Sequence, residues 1–295
     1  MNNFKMLFIS VIIGLFTIPS FAEKIKPSNK TDSIVSKDVD YTQDTFLSSR
    51  VINGHSTEGT TQGRLDFRIE HRFDVIKNGY SEFYGLDHAY TFLGLEYGIK
   101  DWIMVGINRT SLTQTVSGFT KIRLMRQVND DIHHPVSVSF LIGTGYMGQS
   151  LDNSVNPADF WGQINYMSQI LIARKFNSNF SAQISPIWIH RNKIQSVSNN
   201  NNLVALGLSA HCSVSPTLSI SGEYYPVLNP SDYYKSNNFN SLSFSFNIQT
   251  PGHVFQIILT NSADMIEKNF IGETTGNWLK GDIHLGFNIL RKFYL

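Results

Sequence analysis

The sequence predicts an all-β protein, a closed antiparallel transmembrane β-barrel of about twelve strands. Three observations predict it. Segments in which apolar and polar residues strictly alternate recur from Gly63 to the C-terminus, the period that puts one side-chain set on each face of a strand. The links between them alternate short and long, as the turns and outer loops of a membrane barrel do. One apolar N-terminal run precedes them, of the kind that directs export. Composition agrees: charged residues are 16% of the chain, against roughly 25% in soluble domains, and Phe, Tyr and Trp reach 13%. Mean hydropathy is close to zero, because a membrane barrel spreads its apolar residues over alternate positions.

In chain order, Lys5 precedes an apolar core from Met6 to Ile18 and the small-residue pattern Ser20-Phe21-Ala22. The core is too short to span a bilayer comfortably, so residues 1–22 read as a signal peptide cleaved after Ala22. Residues 23–62 read as a flexible periplasmic segment, rich up to about Thr45 in Lys, Ser, Thr and Asp with little to bury. Residues 63–295 read as the barrel. Its first strand is the clearest: Leu65, Phe67, Ile69 and Phe73 share one face, and Asp66, Arg68, Glu70 and Arg72 the other.

Further strands are predicted near Ala89–Ile99, Trp102–Arg109, Phe119–Arg126, Val136–Tyr146, Tyr166–Phe176, Phe180–His190 and Leu203–Cys212. The last four are Leu218–Tyr225, Ser241–Gln249, Val254–Asn261 and Leu279–Phe293. Tyr166–Phe176 is apolar on both faces. Short links fall at Lys100-Asp101, 177–179, 213–217 and 250–253, with 127–134 somewhat longer. Long links fall at 74–88, 110–118, 147–165, 191–202, 226–240 and 262–278. Lipid offers no partner to a strand edge, so the ladder must close and its apolar faces must meet lipid. Aromatic residues near strand ends, Tyr97, Trp102, Tyr146, Trp188, Tyr224, Tyr225, Trp278 and Phe293, are candidates for interfacial girdles. His71 and Cys212 fall on apolar faces, where an interfacial position near a strand end makes them tolerable.

Arg50-Val51-Ile52-Asn53-Gly54-His55-Ser56-Thr57-Glu58, followed by Gly63-Arg64-Leu65-Asp66-Phe67-Arg68-Ile69-Glu70-His71-Arg72-Phe73, resembles the opening of a family of bacterial outer-membrane β-barrel proteins classed as a domain of unknown function. Gly94-Leu95-Glu96-Tyr97-Gly98-Ile99 and Phe119-Thr120-Lys121-Ile122-Arg123 continue the likeness, which fades from about Val136 onward. The resemblance implies the fold and the outer-membrane location, and no reaction comes with it.

If the polar faces point inward, the lumen holds Asp66, Arg68, Glu70, Arg72, Glu96, Lys121, Arg123, Glu223, Asp282 and His284. Mixed signs fit a salt-bridged interior better than a selective ring of charge, although about twelve strands leave room for a polar pore. The Arg50 to Glu58 motif has no strand period. Asn53-Gly54 is a turn-forming pair, and Arg50, His55 and Glu58 can bind lumenal charge, so the motif is either a lumenal plug or a periplasmic cap.

The net charge of +1 and the lack of a basic stripe point away from nucleic acid. The lone Cys212 excludes an intramolecular disulfide. No metal-ligand spacing stands out among nine histidines, His133-His134 included, and no Gly-x-Ser-x-Gly motif occurs, so no metal, cofactor or catalytic residue is assigned. The expected partners are outer-membrane lipid, the outer-membrane assembly machinery and a small solute. Phe293-Tyr294-Leu295 puts aromatics at the C-terminus, where assembly signals lie, though with Leu295 in the final position usually held by Phe. The functional expectation is a small-solute channel or a passive envelope component. A membrane-embedded lipid-modifying enzyme and a soluble periplasmic β-protein binding a ligand or partner are the alternatives.

Overall fold

The computed structural model describes residues 39–129, 131–148, 160–194, 196 and 198–295. The predicted signal peptide and residues 23–38 lie outside the described residues. Twelve strands follow one another in chain order, each hydrogen-bonded to the next, and the ladder closes on itself. They are β1 (Arg64–Val75), β2 (Ala89–Lys100), β3 (Ile103–Thr110), β4 (Thr115–Met125), β5 (Ser137–Met147), β6 (Ile164–Lys175), β7 (Phe180–Arg191), β8 (Asn202–Ser213), β9 (Leu218–Tyr225), β10 (Ser241–Thr250), β11 (His253–Thr260) and β12 (His284–Tyr294). Closure is antiparallel and long, running from Arg64↔Tyr294 to Val75↔His284 with one irregularity near the outer end. No strand edge is left for lipid to leave unsatisfied.

Alternation sets the faces. Along β10, Ser241, Ser243, Ser245 and Asn247 are buried while Phe244, Phe246 and Ile248 are exposed on the outer surface. β1 repeats the pattern with ionic residues: Asp66, Arg68, Glu70 and Arg72 are buried, and Leu65, Phe67, Ile69, His71 and Phe73 face out. His71 sits nearer mid-strand than expected, and its imidazole is 3.1 Å from the Thr91 hydroxyl of β2, so a neighbouring side chain partners its polar edge. Pro186 in β7 donates no ladder hydrogen bond, and the β6–β7 pairing is interrupted there, between Gln169↔Ile187 and Ile172↔Ile184.

Several sequence expectations need correction. The β3–β4 link is tight, 111–114, because β4 begins at Thr115 and Gln114 adopts φ 52° to turn the chain. The last strand begins at His284, not Leu279, since Trp278–Lys280 forms a 3-10 turn ended by Gly281 at φ 76°. Asp282 therefore lies in the β11–β12 link and pairs with Lys77 of the β1–β2 link, outside the lumen. Tyr225 points inward, 3% exposed, and belongs to no girdle, whereas Tyr97, Trp102, Tyr224 and Phe293 are exposed on the outer surface.

Candidate functional site

The lumen is filled by the chain's own N-terminal segment. Residues 23–62 read from sequence as a flexible segment whose Arg50 to Glu58 motif is either plug or cap; from Thr45 to Thr57 nearly every residue is buried inside the barrel. The segment starts at the short-turn end, where Tyr41 bridges to Val128 and Thr42 N–H donates to Gln127 O at 2.9 Å. It leaves at the same end, where Gln62 bridges to Gly98 of β2. A side chain at Gly98 would collide with the segment, as its Cβ would lie 2.0 Å from Thr61 O.

Between these points it forms a narrow hairpin. Arg50 and His55 form an antiparallel bridge, Val51 N–H donates to Gly54 O at 2.8 Å, and Ser56 N–H donates to Ser49 O at 2.9 Å. The tip is held by the wall. The Asn53 N–H and Nδ2 donate to Glu223 Oε1 at 2.9 and 2.8 Å, Nδ2 also donates to Ser243 Oγ at 2.9 Å, and Arg72 Nη2 donates to Asn53 Oδ1 at 2.7 Å. Gln256 and Asn288 donate to the carbonyls of Val51 and Ile52 at 2.8 and 3.1 Å. Lys121 Nζ clamps both arms, donating to the carbonyls of Ser49, Ser56 and Glu58 at 2.8, 2.9 and 2.8 Å. Every buried backbone group needs a partner, and here wall side chains supply it.

A second closure comes from the opposite end. The β11–β12 link folds inward through helix α2 (Glu267–Gly272), after the short helix α1 (Asp232–Asn237) of the β9–β10 link. Phe270 and Ile271 of α2 pack with Ile187, Ile189 and Leu203 of the wall and with Tyr234 of α1. The two closures meet at Glu267, whose Oε1 is 2.9 Å from Arg50 Nη1 and 3.3 Å from His55 Nε2. Burial, reinforced by Arg50, Lys121 and Arg68, holds the His55 imidazole well below its ordinary range, so the contact with Glu267 is to a neutral ring. Two cavities between segment and wall measure about 10 and 20 Å³, water-sized at most.

The family model described as membrane bound beta barrel domain (DUF5777) matches residues 46–293, and so spans both the hairpin and the barrel. The chain belongs to this family. Solved structures with similar folds include the NanC porin, covering 78% of this chain and 100% of that one with TM-score 0.50 and 11% identity. The KdgM porin covers 78% and 99% with TM-score 0.48 and 6% identity. The translocator domain of the autotransporter NalP from Neisseria meningitidis covers 80% and 90% with TM-score 0.39 and 9% identity. A comparison with curated proteins finds no match. The protein is a membrane-bound β-barrel, with its apolar strand faces toward lipid.

In this DUF5777 barrel, most of the predicted lumenal charges form one stripe on β1, β2 and β4. Arg68 Nη1 lies 3.2 Å from Glu70, Arg68 Nε 4.0 Å from Glu96, and Arg72 Nη2 3.7 Å from Glu70. Asp66 pairs instead with Arg64 at 2.8 Å and accepts from Thr60 Oγ1 at 3.1 Å. Lys121 and Glu223 bind the hairpin. Arg123 lies at the short-turn end, half-buried, 3.8 Å from Glu58, and Glu58 also accepts from Thr45 N–H at 3.2 Å. His284 faces inward at the other end, its Nδ1 2.7 Å from Phe73 O, away from the stripe. Asp282 is outside.

Sequence reasoning missed Glu267 and Phe92. Met265, Ile266, Phe270 and Ile271 in a supposed surface loop were the available signal that it is buried. Phe92 breaks the polar face of β2, and its ring meets the Arg50 guanidinium, centroid 5.4 Å from Cζ. The Ser-His contacts at His211, 3.1 Å to Ser221 and 3.4 Å to Ser213, lie on the inner wall and not toward lipid, where a lipid-modifying site would need them.

Proposed function

We propose that this protein is a channel for small polar solutes whose resting state is closed by its own N-terminal hairpin. The wall that the hairpin touches on β7 to β12 carries the reading. A permanent core would present mainly apolar surface there, yet most of the buried wall side chains that meet the hairpin are polar, Gln183, Glu223, Ser243, Gln256 and Asn288, beside the apolar Ile258. If the hairpin leaves, water can satisfy those groups in its place, so opening exposes a lumen that is polar over most of this wall. Most of the holding contacts are also polar and individually modest, alongside the apolar patch of Phe46, Val51 and Ile52. That the family match begins at residue 46 makes the hairpin part of the domain itself.

Planar-bilayer conductance tests this, on the intact protein, on Asn53→Ala and on a variant lacking residues 39–62. Asn53→Ala removes the tip's side-chain bonds to Glu223, Ser243 and Arg72. Weakening the closed state by about 1–3 kcal/mol multiplies the open population by about 5- to 150-fold, and the deletion, which also takes from the second closure its Arg50 and His55 contacts at Glu267, should conduct steadily. If all three insert and fold yet none conducts, the channel reading fails and the barrel is a passive envelope component.

A further inference from the structure

The hairpin plants one cation in an enclosure built for it. Arg50 is 1% exposed; its Nη1 donates to Asn53 O within the hairpin at 2.5 Å, and beyond the hairpin it meets three groups from two elements: Glu267 at 2.9 Å, Glu96 of β2 with Nε to Oε1 at 3.8 Å, and the Phe92 ring of β2 at 5.4 Å. Phe92 is fully buried and Glu96 is 1% exposed. An aromatic ring and two carboxylates around one point suit a planar, delocalised cation, which stacks on the ring while its N–H edge reaches the oxygens. Glu96 also has Arg68 within 4.0 Å, but among the described residues Arg50 is the cation paired with Glu267. The fit is incomplete: Arg50 Nε and Nη2 and Glu96 Oε1 make no hydrogen bond, although all three are buried. The hairpin bridge fixes the Arg50 backbone, and its Nη1 is shared between Asn53 O and Glu267 Oε1, a geometry that a free ion need not adopt.

We propose that Phe92, Glu96 and Glu267 form a binding site for a small guanidinium-bearing cation, and that Arg50 is its built-in occupant in the closed barrel. This names the solute class of the channel and rests on that reading for the solute's passage, not for its binding. When the hairpin withdraws it takes Arg50 away and leaves two carboxylates and a ring lining the lumen. A free guanidinium ion can then orient without the tether that fixes the Arg50 backbone.

Calorimetric titration of the detergent-solubilised, full-length Arg50→Ala protein with methylguanidinium, against tetramethylammonium at matched ionic strength, tests the site. Saturable binding of methylguanidinium is expected, about tenfold tighter than tetramethylammonium, and lost on adding Phe92→Leu or Glu96→Gln. The protein with Arg50 intact should bind neither. Equal affinity for both cations, or no binding to a folded Arg50→Ala barrel, overturns the proposal. Should Arg50→Ala fail to fold alone, it is refolded with each cation present. Rescue by methylguanidinium alone supports the site, and rescue by neither or by both overturns it. Binding without conductance would sink the channel and leave the site standing; conductance without binding would sink the site alone.

Discussion

At the scale of single residues, His55 sits where the two closures meet and responds to pH in a definite sense. Burial, with Arg50, Lys121 and Arg68 nearby, holds its imidazole well below 6.5 while the hairpin is seated; a released hairpin returns it to the ordinary range. A proton therefore binds the released state more tightly. The hold is complete above the ordinary imidazole value and weakens as pH falls through it. Glu267 acts in the opposite sense, since burial raises its carboxyl, against the pull of Arg50, and protonation favours the seated state. Protection of the amides of residues 46–58, after correction for the slower intrinsic exchange in acid, should fall between about pH 7 and about pH 5, and His55→Gln should flatten that fall. A fall unchanged in His55→Gln would assign the effect elsewhere. Gly54 is needed at the tip for a different reason: a Cβ there would lie 1.7 Å from the Tyr225 hydroxyl.

At the scale of elements, the hairpin has no ladder partner of its own and depends on what wall strands offer it. Lys121 is the strongest single clamp, since one ammonium satisfies carbonyls on both arms. Replacing it by Met takes a donor from the carbonyls of Ser49, Ser56 and Glu58; Ser49 O keeps the bond from Ser56 N–H, and a buried carbonyl left unpaired costs about 1–3 kcal/mol unless water enters. Hydrogen exchange of Lys121→Met should show residues 46–58 losing protection while the strands keep theirs; protection unchanged in the hairpin would mean the clamp is dispensable. The hairpin also explains β6. Its inward Leu171 and Ala173 are buried, and Ala173 packs with Phe46, Val51 and Ile52 of the segment and Ile258 of β11. A strand apolar on both faces is what a wall needs when lipid lies outside and an apolar patch of plug lies within.

At the scale of the whole molecule, the closed ladder and the filled lumen are separable. Strand pairing runs unbroken around the barrel and includes no residue of the hairpin. The variant lacking residues 39–62 should therefore still insert and show the heat-dependent gel mobility of a folded barrel, with its polar wall solvated. Loss of the folded band would instead make the segment an obligatory core. The second closure is independent of this deletion at its base, because α2 is anchored by Phe270 and Ile271 against the wall and touches the hairpin through Glu267.

The sequence by itself determined the strands and their faces, because lipid outside and polar groups inside impose a period of two that each strand carries in its own residues. Leu65 to Phe73 and Leu242 to Ile248 are legible without any neighbour. It also marked Arg50 to Glu58 as unusual while leaving plug and cap open. Only the tertiary structure decided that this motif enters the lumen, that the β11–β12 link descends to meet it, and that Asp282 stays outside. Those outcomes rest on contacts such as Arg50 with Glu267 and Asn53 with Glu223, formed between residues far apart in the chain. Local alternation records which face a residue takes, whereas which distant segment comes to lie against that face is decided only when the barrel closes around it.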